Sequence, residues 1–389
     1  MNDKDKFDNS ELLQDNNIST NVPPLSSVEE LREQNAQECI TPQLSYQYYQ
    51  NKFKLDGKES GEETYEDQTE ALDESRITTK TKLPPPETLL SNGEVSYIER
   101  GDIYVIKGDP KTGKTSAVKA MVCASLFSHC CGLETKETGL KVAYMDTEQK
   151  PEDTQGILNF LRQNEGDFSD EYIDDRFFLY ALRMRDHTTL GKDLLRIVID
   201  KRPDIIIVDG IADFVNSFND EIASKAIVLL LLRIVHEFKC AIICLIHENK
   251  ARDDHNAKGH TGQLLAQKCA IEMQTKINNG IIQVVCTKAR HKYVPDLYLT
   301  YDKNDILCDA TEPFKAMKAE EAKEAEYLKV AISIINELGP INRTELSKKM
   351  SEKTGKSQNW MATQITKLNG KGLYLVGEIV QLTPRETTE

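Results

Sequence analysis

Between residues 87 and 313 the chain alternates short, nearly uniform apolar runs with longer stretches whose apolar positions recur at helical spacing. Runs at 103–107, 141–145, 177–182, 205–208, 241–246, 281–286 and 297–301 read as strands, several with no polar position to face water. Stretches at 114–128, 188–201 and 221–238 read as helices. Buried strands alternating with helices predict an α/β fold, a mostly parallel sheet covered on both faces.

The flanks differ from this body. Residues 1–86 are rich in Asn, Asp, Glu, Ser, Thr and Gln and keep no apolar period, which predicts an acidic, mostly disordered arm. Within the arm, 40–53 carries Tyr46, Tyr48 and Tyr49, either a short docking segment or an incidental cluster; Leu83-Pro84-Pro85-Pro86 then forms a semi-rigid boundary. Beyond the body, 314–326 reads as a helical linker and 327–389 as a small domain. That domain has helices at 327–338, 343–352 and 357–368, the first ended by Gly339-Pro340, and a hairpin at 374–382 turning at Gly377-Glu378. Three helices and a terminal hairpin are the layout of a winged helix. On its last helix Gln358, Asn359, Thr363, Gln364 and Lys367 are expected to face outward, with Met361, Ile365 and Leu368 inward.

Charge divides the chain in the same three places. Of a net −14 over 389 residues, the first 85 carry 9 Lys+Arg against 18 Asp+Glu, while 327–389 carries 9 against 6. The longest apolar run is seven residues, 226–232, against roughly 20 for a membrane span, which excludes a spanning role for it. The first residues are polar with no apolar leader, so a cytoplasmic location is expected. Nine scattered cysteines without a C-x-x-C argue against a disulfide framework or a structural zinc site.

Candidate chemistry begins at the first strand of the body. Gly108-Asp109-Pro110-Lys111-Thr112-Gly113-Lys114-Thr115-Ser116 matches the P-loop pattern and stands between an expected strand and an expected helix. Two glycines let the backbone curl round phosphates at the positive end of a helix, Lys114 reaches the β and γ phosphates, and the Thr115 hydroxyl ligates Mg2+. Asp209 ends the most apolar strand and is the expected second holder of the Mg2+ water shell. Glu148, just past another strand end in Asp146-Thr147-Glu148, is the candidate to orient the attacking water, with Asp146 as the alternative. His247 ends a further strand. Ala251 stands four residues on, so this is not a zinc H-E-x-x-H site; the histidine either senses the γ phosphate or is satisfied at the core edge.

With Lys288-Ala289-Arg290 after a late strand, this set resembles the RecA-superfamily ring ATPases, in particular the RepA-like branch of hexameric plasmid and mobile-element helicases, relatives of the DnaB replicative helicases. The resemblance covers residues 87–301. It implies a RecA-like P-loop NTPase core using ATP and Mg2+ and a homo-hexamer. The activity it implies is that of a DNA helicase in replication or mobilisation of a plasmid or mobile element. Single-stranded DNA would pass through the ring, with duplex DNA a second candidate, and the N-terminal arm would meet a replication protein. Arg290, with Lys288 beside it, would be an arginine finger in the neighbour's ATP site; a basic surface hairpin is the alternative. Residues 213–220, with Phe214 and Phe218, and 249–262, with Lys250, Arg252 and Lys258, would line the pore. At Gly259-His260-Thr261-Gly262 the chain departs from the family's Gly-Ser turn. The same fold also suits an ATP-switched DNA-binding protein, such as a recombination mediator or replication loader.

Overall fold

The computed structural model describes residues 42–53, 75–137, 139–164, 168–217, 220–248, 259–290 and 294–383. Helix α1 (Pro42–Lys52) stands ahead of the body. The body opens with β1 (Thr88–Asn92), β2 (Val95–Glu99), β3 (Ile103–Lys107) and α2 (Lys114–Phe127). Then come β4 (His129–Cys130), β5 (Leu133–Glu134), β6 (Val142–Asp146), α3 (Pro151–Asn164), α4 (Asp170–Asp174) and β7 (Phe177–Ala181). After α5 (His187–Lys201) and β8 (Ile205–Asp209), a 3-10 turn (Ile211–Phe214) leads to α6 (Glu221–Phe238), β9 (Ala241–Ile246) and α7 (Gly259–Lys268). A long hairpin of β10 (Ile271–Asn278) and β11 (Ile281–Ala289), then β12 (Leu297–Tyr301) and β13 (Leu307–Asp309), complete it.

Nine strands form one sheet in the order β13-β12-β11-β10-β3-β9-β8-β6-β7. From β10 to β7 every neighbouring pair is parallel, and the last three strands on the other edge are antiparallel. Alternation along each strand feeds two cores. Tyr104, Ile106, Tyr144 and Ile207 pack with Met121 and Phe160 of α2 and α3, while Ile103, Val105, Met145 and Val208 pack with Leu194 of α5 and Ile234 of α6. Both faces being buried, polar side chains collect at the strand ends. The register makes those ends level: Lys107 pairs with Ile246, and Asp146 with Asp209.

The aromatic cluster ahead of the body docks on the body itself. Tyr49 and Phe53 are buried, the Tyr49 ring lies 4.7 Å from that of Phe238, and Lys52 meets Glu237 at 2.8 Å. Of the rest of the expected disordered arm, residues 1–41 and 54–74 lie outside the described residues, and 75–86 are exposed and form neither helix nor strand.

At the C-terminal end, α8 (Thr311–Leu338), β14 (Ile341–Asn342), α9 (Arg343–Thr354), α10 (Gln358–Lys367), β15 (Leu373–Val376) and β16 (Ile379–Leu382) follow. They enclose a separate core that includes Ile334, Leu346, Met350, Met361, Ile365 and Val380. The stretch expected as a linker and the first helix of this unit form one continuous helix, held to the unit by Lys367–Glu320 and Lys371–Glu324 at 2.9 and 2.7 Å. Gln364 is a correction: it is buried, not outward. Positions 361, 364, 365 and 368 share one helical stripe, so spacing overrides its polarity. The outward face instead shows Trp360, half exposed. Among the described residues, no helix is long and apolar enough to cross a membrane.

The sheet end away from the P-loop is tied by Arg100, which donates to Glu87 (2.8 Å), Glu137 (2.9 Å) and Asp204 (2.7 Å). Asp204 also accepts the Lys141 N–H at 2.8 Å. Removing the guanidinium leaves a largely buried carboxylate without its cation. We therefore expect Arg100→Ala to lower unfolding free energy by about 3 kcal/mol in a urea titration. A loss below about 0.5 kcal/mol would mean that the cluster behaves as a surface ion pair.

Candidate active site

The loop between β3 and α2 is pressed against β10. A Cβ on Gly108 would come 2.3 Å from Thr275 Oγ1 and 2.7 Å from Thr112 Oγ1, and those two hydroxyls bond each other at 2.8 Å. Helix α2 begins at Gly113, in a left-handed conformation, with no side-chain cap, so its first N–H groups are left for an anion. Asp109, Pro110 and Lys111 are exposed on the rim, and Ser116 shares a 2.9 Å hydrogen bond with the Tyr301 hydroxyl. A buried Lys107–Glu272 pair at 2.6 Å joins β3 to β10 below the loop.

Lys114 Nζ donates to the Gly108 and Asp109 carbonyls at 2.8 and 3.0 Å and lies 3.2 Å from His247 Nδ1. An ammonium can only donate, so Nδ1 accepts and the imidazole proton is on Nε2, which faces Glu148 Oε2 at 3.3 Å. Lys114, His247 and Glu148 thus form one chain across the ends of β3, β9 and β6. Burial lowers the Lys114 ammonium from its ordinary value, and nearby Glu148 and Asp209 oppose that shift.

Asp146 and Glu148 separate into different roles. Asp146 Oδ1 accepts the N–H groups of Glu148 (3.1 Å) and Gln149 (2.9 Å), and Oδ2 accepts the Thr154 hydroxyl at 2.7 Å. It is fully buried and shapes its own loop, which leaves Glu148, half exposed, as the carboxylate turned toward Lys114 and His247. Asp209 is buried and accepts the Tyr144 hydroxyl at 2.7 Å. Desolvation pushes its pKa up to about 6, the Tyr144 hydrogen bond working against it. Thr147 ties the two strand ends: its hydroxyl lies 2.7 Å from Asp213 Oδ2 and 2.9 and 3.1 Å from the Asp209 and Gly210 carbonyls, which share its one proton. Gly210 has φ +96°, and a Cβ there would come 2.1 Å from Thr147 Oγ1. Only glycine permits that approach.

These residues fit a magnesium nucleotide: an uncapped helix start, a lysine on the loop, and Thr115 and Asp209 as oxygen donors that would complete the metal's shell together with phosphate oxygens and water. Among the described residues no group of three or more His, Cys, Asp or Glu side chains is placed to hold a metal without such help.

Arg290 and Lys288 are not part of this cluster. Ala289 pairs with Ile271, which pairs with Tyr104, and the Arg290 N–H bonds to Ala270 O, so Arg290 stands at the opposite end of the sheet, while Lys288 pairs with Glu272, level with Val105 at the middle of β3. For Arg290 that is roughly 15 Å along the strand from its own P-loop, beyond the reach of an arginine. Both cap the end of α7, Arg290 on Gln267 O at 2.6 Å and Lys288 on Ala266 O. Two further expectations change. Phe214 is buried in the core rather than offered for stacking, and Gly259-His260-Thr261-Gly262 is the first turn of α7, with Thr261 bonded to Ser224 at 2.8 Å. Phe218, Lys250, Arg252 and Lys258 lie outside the described residues.

The sequence reading missed Tyr144, Thr147 and Asp213. A tyrosine in a wholly buried strand, two residues before Asp146 and so on its face, was the available signal, since a buried phenol needs a partner.

The AAA domain family model matches residues 65–253, a stretch that contains the P-loop, Glu148, Asp209 and His247. No curated protein matches the chain. Among solved structures, a KaiC-like protein of the hyperthermophilic archaeon Pyrococcus horikoshii OT3 is similar at 10% identity and a TM-score of 0.39, over 55% of this chain and 91% of its own. The RadB recombinase is similar at 17% identity and a TM-score of 0.41, over 55% and 93%. The strand order and the site define the class: an α/β P-loop nucleotide-binding domain.

Asp209 predicts a pH dependence of the nucleotide- and metal-free protein. Its folded pKa of about 6 lies above the ordinary 3.8, so ionising it opposes folding as pH rises from about 4 through 6. Asp209→Asn should therefore be the more stable protein at pH 7.5, by on the order of 2–3 kcal/mol, with the gap closing toward pH 4. Thermal melts across that range check it; a gap that widens in acid contradicts it.

Proposed function

We propose that the chain is an ATP-dependent DNA motor: a hexameric helicase acting in replication or mobilisation of a plasmid or mobile element. In this reading the Gly108–Thr115 loop, with Ser116 behind it, holds the triphosphate. Lys114 binds its β and γ phosphates, and Thr115 and Asp209 hold Mg2+, which supplies charge neutralisation at the transferring phosphoryl group. Glu148 orients the attacking water and accepts its proton. His247, between Lys114 and Glu148, is the group whose contacts change when a phosphate enters, and it begins the loop at 249–262 expected to touch DNA.

The observation that carries the ring is the place of Arg290. It cannot serve its own P-loop, and the far end of the sheet is where a residue would stand to serve a neighbour's. Support for a nucleic-acid track at the P-loop end comes from a cleft of about 390 Å³ whose lining includes Arg183, Arg185, His187 and Asn216 beside Thr147 and Asp213. We assign residues 1–86 to an arm, 87–313 to the ATPase domain, 314–326 to a linker and 327–389 to a winged helix. In that last unit the outward Gln358, Asn359, Thr363 and Lys367 of α10 meet duplex DNA.

Strand displacement on forked DNA with 5′ and 3′ tails tests the motor. ATP-dependent unwinding on one tail is expected; ATP hydrolysis and DNA binding without unwinding would favour an ATP-switched mediator or loader. The ring is tested by mixing. Arg290→Ala and Lys114→Ala subunits should each be inactive, since an arginine finger is worth about 10^3 to 10^5 in rate. Mixed, they should regain part of the ATPase activity, because some interfaces then pair an intact loop with an intact finger. No recovery in mixed assemblies confirmed by native mass spectrometry would remove Arg290 from the mechanism.

A further inference from the structure

Tyr144 is the fully buried residue at the centre of β6, and its ring fills core volume with its edge toward Phe177, centroids 6.5 Å apart. A phenylalanine would supply that packing. The hydroxyl is what packing does not explain, and its partner is the Asp209 carboxylate, Oδ2 accepting at 2.7 Å. The register makes this contact diagonal. Tyr144 pairs with Ile207 and Asp146 with Asp209, so the phenol runs from the middle of one strand to the acid at the tip of the next. Among the described residues no other side chain donates to Asp209. The Asp209 carbonyl is held from the same strand end, by the Thr147 N–H at 3.0 Å and hydroxyl at 2.9 Å.

We infer that Tyr144 is a positioning residue for the magnesium site: its hydroxyl occupies Oδ2 of Asp209 and fixes the carboxylate so that Oδ1 is the oxygen presented to the metal's water shell. The inference rests on the reading of Asp209 as the metal-side carboxylate. A free carboxylate on a strand end turns about its last bond and offers either oxygen. One whose second oxygen is bonded inside the core has one orientation, and the order is supplied by the fold before the ligand arrives. Tyr144 touches neither metal nor substrate and acts through Asp209.

The test is metal affinity, read without turnover. Mn2+ is titrated into the full chain saturated with ADP and followed by electron paramagnetic resonance, for the parent and for Tyr144→Phe. Removing the donor leaves a buried acceptor unpaired and the carboxylate free to turn, so Mn2+ affinity should fall about tenfold. ADP affinity without metal should hold within twofold. An unchanged Mn2+ affinity in a folded Tyr144→Phe protein overturns the inference, as does an equal loss of ADP affinity with and without metal, which would mark a merely structural role. Tyrosine carrying 13C at Cζ gives a second measurement on the unaltered chain, should the variant not fold. The Tyr144 resonance should move when Mg2+ is added to the ADP complex, and a fixed resonance overturns the inference. If the parent binds ADP but no Mn2+, Asp209 itself is misassigned and both readings fall. A parent that binds metal normally while Tyr144→Phe does so equally well leaves the nucleotide site standing and removes only Tyr144.

Discussion

The level register of four parallel strands is the constraint from which the site follows. Because β3, β9, β8 and β6 are apolar on both faces, their sequences turn polar only where they leave the sheet, and the pairing of Lys107 with Ile246 and of Asp146 with Asp209 makes all four leave at the same height. Lys114, His247, Glu148 and Asp209 come from four separate stretches of chain, and a slip of one residue in any strand would turn its terminal group to the other face. The hydroxyls of Tyr144 and Thr147, and Gly210 with its lack of a Cβ, then lock the β6 and β8 ends together.

The electrostatics of this arrangement are incomplete by design of its charges. Asp209 is held at a raised pKa by burial, Lys114 at a lowered one, and the ammonium is satisfied by loop carbonyls and a histidine rather than by a carboxylate. A polyanion with a divalent cation relieves both tensions, since phosphate takes the lysine and the helix start while the cation takes the aspartate. The same argument separates the two strand-end acids after β6. Asp146 is held by three hydrogen bonds inside its own loop, whereas Glu148 reaches the lysine through one imidazole.

Much of this was legible in the chain. Uniform apolar runs become strands, and β3, β9 and β12 begin and end where the pattern places them. The P-loop has a spacing that few other structures use. What escaped was polarity explained by a distant partner. Strand β10 carries Glu272, Gln274 and Thr275 at buried positions, and nothing local says that Lys107, Glu248 and Thr112 will meet them. Gln364 misled in the same way, its side chain judged by type rather than by helical phase. The placement of Arg290 needed the register of a hairpin whose first strand does not read as one, and α1 needed Phe238, 189 positions on from Tyr49, to become more than a cluster of tyrosines.

The central claim is that one nucleotide, with its metal, completes the charges gathered at these four strand ends. A crystal structure with Mg2+ and a non-hydrolysable ATP analogue tests it most directly. The account predicts the β and γ phosphates over residues 108–115, Lys114 Nζ turned from the Gly108 and Asp109 carbonyls to phosphate, and the Lys114–His247 contact broken. A nucleotide seated elsewhere, or phosphates over the loop with Lys114 still on its carbonyls and Asp209 remote from the metal, would contradict it.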